Sequence, residues 1–246
     1  MSDATAPALS LFAPGSLAGL RETLPRAFAR VAPATELVFH PPAYSGLLAA
    51  QILAGARVDV FVSANRAYMA DLHAAGLVPE PRVLAGNRLA LVAREGLAEP
   101  VVALADFARP GLCLVVPPAA TDPLGRYTED LFAHAGLTAA IAAKRAAGEV
   151  LDELGALPRL LADGRVDAAI VYASSAPSFP ASAVVPLPPD LDRHDRIAFT
   201  VGAVRRDGQR RPAADRLVDF MVGFDGQAIL VAAGFLPAST VPPWDA

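Results

Sequence analysis

The chain has 246 residues, of which 54% are hydrophobic and 19% charged, with a formal net charge of −4 at pH 7. That length carries one large domain or two modest lobes, and that composition can bury a substantial core. There is no basic run of five or more, the densest pairs being Arg205-Arg206 and Arg210-Arg211, and no stretch of about 18 consecutive apolar residues; nucleic-acid binding and membrane insertion are therefore not expected.

Residues 1–7 read as a short disordered lead with neither a basic nor a long apolar segment, so the chain as written shows no export signal. Either such a signal has been removed, or the protein works in the cytosol. An apolar strand at about 8–13 then runs into Ala13-Pro14-Gly15-Ser16-Leu17, a small-residue turn that opens a helix at about 16–32 carrying Leu20, Leu24, Phe28 and Val31. Glu36-Leu37-Val38-Phe39-His40 is the next strand, stopped by Pro41-Pro42. A helix at about 46–54 follows Tyr44-Ser45 and closes at Gly55. Asp59-Val60-Phe61-Val62-Ser63 is a third apolar strand, and a helix at about 65–75 follows it. Strands that are nearly unbroken in apolar residues and alternate with helices predict a mostly parallel sheet covered on both faces.

The alternation then changes. Arg82-Val83-Leu84 and Asn87-Arg88-Leu89-Ala90-Leu91-Val92 form an extended pair with no long helix between them, which reads as a crossing into a second lobe. That lobe has a strand at about 112–116, helices at about 124–135, 139–147 and 155–163, and the strand Val166-Asp167-Ala168-Ala169-Ile170-Val171-Tyr172. After a proline-rich passage (Pro177, Pro180, Pro186, Pro188, Pro189) the strand at 197–204 returns to lobe one, and helices at about 212–222 and 225–233 finish the chain. Two crossings predict a hinged clamshell: residues 1–85 with 200–246 as lobe one, 86–199 as lobe two, and hinges near 84–88 and 196–203. No internal repeat is apparent.

Ser16 and Ser45 share a context, each in a turn after a strand and at the start of a helix. Either could simply cap its helix. Two serines at the carboxyl edge of one sheet also sit where ligands gather in open α/β folds. Asp122-Pro123-Leu124-Gly125-Arg126-Tyr127 is the matching loop of lobe two; Asp122 caps the helix there, or the amides around Leu124 and Gly125 face a ligand. Arg126 would add positive charge or stand in solvent. Asp152, Glu153 and Leu154 lie near a helix start, where carboxylates complement the dipole. Tyr172 ends an apolar strand, as an amphipathic core residue or as a hydrogen-bond donor to a ligand. Cys113, the single cysteine, lies in an apolar strand and reads as packing rather than as a reactive thiol. The four histidines (His40, His73, His134, His194) match no metal-ligand spacing, and nucleophile-elbow, phosphate-loop and dinucleotide motifs are absent, so an enzyme on an α/β scaffold is the weakest reading.

The succession of Phe12-Ala13-Pro14-Gly15-Ser16-Leu17, Ser45-Gly46-Leu47-Leu48-Ala49-Ala50-Gln51-Ile52, Asp59-Val60-Phe61-Val62-Ser63-Ala64, Gly86-Asn87-Arg88-Leu89-Ala90-Leu91-Val92, Asp122-Pro123-Leu124-Gly125-Arg126-Tyr127 and Gly164-Arg165-Val166-Asp167 through Tyr172 resembles the molybdate/tungstate-binding proteins of ABC importers, which have the type II periplasmic-binding fold. The resemblance spans about residues 8–238. It implies a tetrahedral oxyanion held in an interlobe cleft by Ser16, Ser45, backbone amides at Leu124 and near Leu154, and Tyr172. One branch of the family adds two carboxylates; Asp122 and Glu153 are the nearest counterparts here, and the four-coordinate mode without them is favoured. The function implied is capture of molybdate or tungstate for import, by a monomer with an ABC permease as partner, no cofactor and a periplasmic location. The alternative is a cytosolic sensor or carrier of an anion or organic acid on the same fold.

Overall fold

The computed structural model describes residues 8–179, 182–205 and 211–244. The lead at 1–7 and Pro180 of the proline-rich passage fall outside them. The chain divides into two compact units, Met1–Gly86 with Asp195–Ala246 and Asn87–His194. The strand at 198–203, which sequence reading puts in the second hinge, is fully buried within the first unit's sheet.

In the first unit, strands β1 (Ala8–Phe12), β2 (Glu36–Phe39), β3 (Val60–Ser63), β4 (Arg82–Gly86) and β10 (Ala198–Ala203) form one sheet in the order β2-β1-β3-β10-β4. β1 runs parallel to β2 and β3, whereas β10 is antiparallel to both β3 and β4. The sheet is therefore mixed: four strands share a direction and the strand returning from the second unit opposes them. Every residue of β3 and β10 is buried, as strands covered on both faces must be. Helices α2 (Ser45–Leu53) and α3 (Arg66–Ala74) bring Leu48, Ile52, Met69 and Leu72 onto Phe12 and Phe61. Helix α1 (Thr23–Val31) buries Leu24 and Phe28, the latter against Phe220 of α7 (Pro212–Val222) with ring centroids 5.6 Å apart. α8 (Phe224–Ala232) packs on α7.

The single helix expected at 16–32 is two pieces, a 3-10 helix over Gly15–Leu20 and then α1. Pro25 explains the break. It has no N–H to continue an α-helix from the preceding turn, but it is tolerated in the first turn of a helix that starts at Thr23.

The second unit repeats the plan. β5 (Leu89–Arg94), β6 (Leu114–Val115), β7 (Val150–Leu151), β8 (Ala168–Tyr172) and β9 (Ser182–Pro186) lie in the order β7-β6-β8-β5-β9. β6 is parallel to β7 and β8, and β5 is antiparallel to β8 and β9. With β6, β7, β8 and β9 taken as first to fourth strands, both sheets read second-first-third-reversed-fourth. Sequence inspection sees no repeat; the topology has one. β9 is a strand where the sequence suggests only a proline-rich passage, and Pro186 ends it at the sheet edge, where a missing N–H is tolerated. Helices α4 (Pro123–His134), α5 (Thr138–Ala146) and α6 (Leu157–Ala162) complete the unit. The helix expected at 155–163 starts as a 3-10 turn, Leu154–Ala156, with Pro158 in the first turn of α6.

One buried aspartate pins each sheet. Asp59, 1% exposed, precedes β3 and through Oδ2 accepts the amide (2.8 Å) and hydroxyl (2.9 Å) of Ser10 on β1 and Nη1 of Arg211 (2.9 Å). Asp167, 7% exposed, precedes β8; it accepts the Cys113 amide at the start of β6 and Nε of Arg94 at the end of β5, both at 2.8 Å. Each latch ties the first strand to the third and adds an arginine, Arg211 from the N-cap of α7 in the first unit and Arg94 from the end of β5 in the second. Both aspartates end the same tripeptide, Arg57-Val58-Asp59 and Arg165-Val166-Asp167. Replacing one partner of a buried pair leaves the other desolvated and uncompensated. Asp167→Ala is therefore expected to destabilise the protein by roughly 3 kcal/mol, read as a fall in the urea midpoint; a loss of under about 1 kcal/mol would be that of a surface pair.

Candidate functional site

The first unit's sheet has a topological switch point. From β1 the chain goes to β2 on one side and then to β3 on the other, so the loops after β1 and β3 diverge at their carboxyl ends. Ligands in open α/β sheets bind at such a place. Ser16 follows β1, in the first turn of the 3-10 helix. The N-cap of that helix is Pro14, and Ser16 Oγ is buried with no hydrogen-bond partner among the described residues. Plain capping therefore does not describe this serine.

Ser45 is fully buried and is the first residue of α2; the capping position is Tyr44, which makes no side-chain cap bond. Ser45 Oγ accepts the Ala64 amide at 3.0 Å, just past the end of β3. The loop after β2 is thus carried over to the β3 side of the switch point. The hydroxyl keeps its own proton to donate, and the first-turn amides of α2 have no partner within the helix. Arg21 fixes the other side. It donates Nη1 to the His40 carbonyl and Nη2 to the Phe39 carbonyl, each at 3.1 Å, and its guanidinium lies 5.5 Å from the centroid of the Phe39 ring. The segment that carries Ser16 is thereby clamped to the end of β2. Sequence reasoning missed Arg21 and the Ala64 amide, since nothing in their local sequence marks them.

The second unit places its candidates at the equivalent edge. The switch point lies between β6 and β8. After β6 the chain turns through Pro117-Pro118, where Asp122 donates its amide to the Pro118 carbonyl (2.9 Å), and enters α4. Asp122 is the N-cap. Its Oδ1 accepts the Leu124 amide at 2.9 Å, so this amide is engaged locally. Pro123 has no N–H, and the Arg126 amide returns to the Asp122 carbonyl. Gly125 is pressed onto the preceding loop: a Cβ there would lie 2.2 Å from the Pro117 carbonyl oxygen and 2.9 Å from the Ala119 nitrogen. Only glycine permits that approach.

Asp122 is 5% exposed, and its Oδ2 is buried with no hydrogen-bond partner among the described residues. Burial pushes its carboxyl up to about 6, against the lowering effect of the Leu124 amide. Leu154 opens the 3-10 turn after β7, Glu153 beside it is exposed, and Arg126 is exposed. Tyr172 ends β8, 5% exposed, with its ring edge-on to Tyr127 at 6.5 Å. It stands five residues beyond the aspartate of its latch, as Ala64 does beyond Asp59. The candidates thus form two sets, Ser16 with Ser45 and Asp122 with Leu124, Leu154 and Tyr172, each at the carboxyl edge of its own sheet. Among the described residues, no cluster of three or more His, Cys, Asp or Glu could hold a metal ion, and no helix is long and apolar enough to cross a membrane.

Comparison with known proteins agrees with this architecture. Residues 9–236 match the family described as bacterial extracellular solute-binding protein. The molybdate-binding protein ModA of Mycobacterium tuberculosis is 30% identical over 193 residues, covering 78% of this chain and 70% of that protein. The fold is shared with the periplasmic molybdate-binding protein of Azotobacter vinelandii (TM-score 0.75, 21% identity, 93% of this chain and 98% of that one). It is shared equally with the sulfate-binding protein SubI of M. tuberculosis (TM-score 0.74, 16% identity, 94% of this chain and 87% of that one). The chain belongs to the bacterial extracellular solute-binding proteins, in the molybdate-binding family of ABC importers, whose members are transporter components and not enzymes.

Proposed function

We propose that the protein captures a tetrahedral oxyanion, molybdate or tungstate, and delivers it to an ABC permease outside the cytoplasmic membrane, acting as a monomer with no cofactor. The observation that carries this reading is Ser16 Oγ, a buried hydroxyl with no partner among the described residues, placed at the same switch point as Ser45. The relative named for molybdate, 30% identical, supports the choice of anion.

The donor set suits a dianion. Ser16 and Ser45 supply hydroxyls, and the first turns of the helices after β1, β2, β6 and β7 supply amides at positive dipole ends. Tyr172 adds a phenol. We assign all of these to oxo oxygens and none to the metal. Leu124 marks the turn concerned; with its own amide on Asp122, the donor of that turn is the amide of Gly125. Each charge-assisted bond contributes roughly 1.5–3 kcal/mol net. Several together reach on the order of 10 kcal/mol before ordering costs, which is compatible with submicromolar affinity. Donors held by rigid strand ends select by size, and molybdate and tungstate are larger than sulfate.

Titration calorimetry with molybdate, tungstate, sulfate and phosphate tests the reading. Molybdate and tungstate are expected to bind submicromolar and sulfate at least about tenfold more weakly, a difference of about 1.4 kcal/mol. Absence of heat with both metal oxyanions would end the assignment. Ser16→Ala should weaken binding by about tenfold to a hundredfold and leave the melting temperature of the ligand-free protein unchanged. Ser45→Ala should weaken binding comparably and also lower that melting temperature, because Ser45 Oγ is an acceptor for the Ala64 amide in the absence of ligand. A Ser45→Ala protein with unaltered stability would contradict the double role.

A further inference from the structure

Asp122 does not fit a site built only of neutral donors. In the four-coordinate mode, where no carboxylate ligates the metal, an ionised carboxylate at the N-terminus of α4 would face oxo oxygens and repel a dianion. One of its oxygens is already committed to the Leu124 amide; the other is buried and has no hydrogen-bond partner among the described residues. A buried oxygen left in that state is costly unless something else meets it. A proton resolves both difficulties, since a neutral carboxyl still caps the helix through Oδ1 and offers Oδ2–H as a donor.

We infer that the oxyanion is taken up together with one proton, held between Asp122 Oδ2 and the nearest oxo oxygen. This rests on the oxyanion reading above and specifies how the site is regulated. The surroundings of Asp122 favour the neutral form. The segment 117–121 has no ionisable side chain. On the elements packed against α4, β8 carries Tyr172, and α5 carries Lys144 and Arg145, which are engaged by Glu149 and Glu129. On α4 itself Arg126 is exposed, and the ring of Tyr127 meets that of Tyr172 edge-on. Burial is the largest cause of the raised carboxyl, which lies at about 6, so at neutral pH most of the free protein is ionised there. Binding above that pH must then draw a proton from solvent. No other bond changes, and the proton returns to solvent on release.

The sign follows from linkage: a group that gains a proton on binding makes affinity fall as pH rises above its pKa in the free protein. Calorimetry with molybdate between about pH 6.5 and 8.5, in buffers of different ionisation enthalpy, should show affinity falling close to tenfold per pH unit and an uptake near one proton at the upper end. Asp122→Asn keeps an oxygen for the Leu124 amide and presents a permanently neutral N–H donor. Its binding should be independent of pH and buffer, and tighter than wild type at pH 8.5. Wild-type binding that is flat with pH, with no proton uptake, would overturn the inference and leave the oxyanion reading standing. A pH slope that persists in Asp122→Asn would overturn the assignment to Asp122. No binding of molybdate or tungstate by either protein at any pH would remove both readings together.

Discussion

The two buried aspartates, Asp59 and Asp167, are the constraint on which the rest is built. A carboxylate taken out of water is tolerable only when its oxygens are met by donors. Here the donors come from Ser10 on β1 and Arg211 at the N-cap of α7, and from Cys113 just before β6 and Arg94 at the end of β5. Asp59 therefore cannot be satisfied unless β1 lies next to β3, and Asp167 cannot be satisfied unless β6 lies next to β8. Both latches stand at the amino ends of these strands, and they fix the register of everything at the carboxyl ends. A slip of one residue along β3 would turn Val60, Phe61 and Val62 to the wrong faces and also separate Ala64 from Ser45. The carboxyl edge that carries the candidate residues is positioned from the opposite end of the strands.

Much of this was legible in the sequence because its signals are local. Apolar strands such as Val60-Phe61-Val62, Gly55 with its positive φ after α2 and the small-residue turn at Pro14-Gly15-Ser16 each declare their conformation within a few residues. What was missed depends on partners distant in sequence. β9 is a strand because β5 pairs with it from Ala90↔Pro186 to Arg94↔Ser182, not because its own prolines favour extension in a sheet. The reversed direction of β5 and β10 belongs to the crossing of the chain and leaves no trace in their composition. The break between the 3-10 helix and α1 was readable in principle, since Pro25 is visible, but the apolar spacing across it imitates one continuous helix. The duplication was also readable in part: Arg-Val-Asp occurs twice, before the third strand of each sheet.

The candidate residues divide in the same way. Position after a strand was deducible from alternation: Ser16, Ser45 and Asp122 lie at the helix starts that follow β1, β2 and β6, and Tyr172 ends β8. Bonding was not deducible. The two serines looked alike, yet one hydroxyl has no partner among the described residues and the other accepts the Ala64 amide. Leu124 and Asp122 were alternatives in the sequence, cap or ligand donor; in the structure the cap uses the very amide that the resemblance implies for the ligand.

That last point bears on how one fold serves chemically different anions. Both sheets present helix starts after their first and second strands, so amide donors are a property of the topology and come without selection for any one ligand. The sulfate-binding protein SubI and the Azotobacter molybdate-binding protein share this fold at 16% and 21% identity to this chain. On the proposed function, discrimination falls to the few side chains added near the strand ends. In this chain they are unequal: two serine hydroxyls in the first unit, a tyrosine and a buried carboxyl in the second. Ala64 and Tyr172 occupy matching places five residues past their latches, one offering only an amide to Ser45 and the other a phenol. The carboxyl of Asp122 has no acidic counterpart in the first unit, where Gly15 and Ser16 stand after β1. An acceptor that becomes a donor on taking up a proton is a different kind of group from a hydroxyl, because its contribution changes sign with pH.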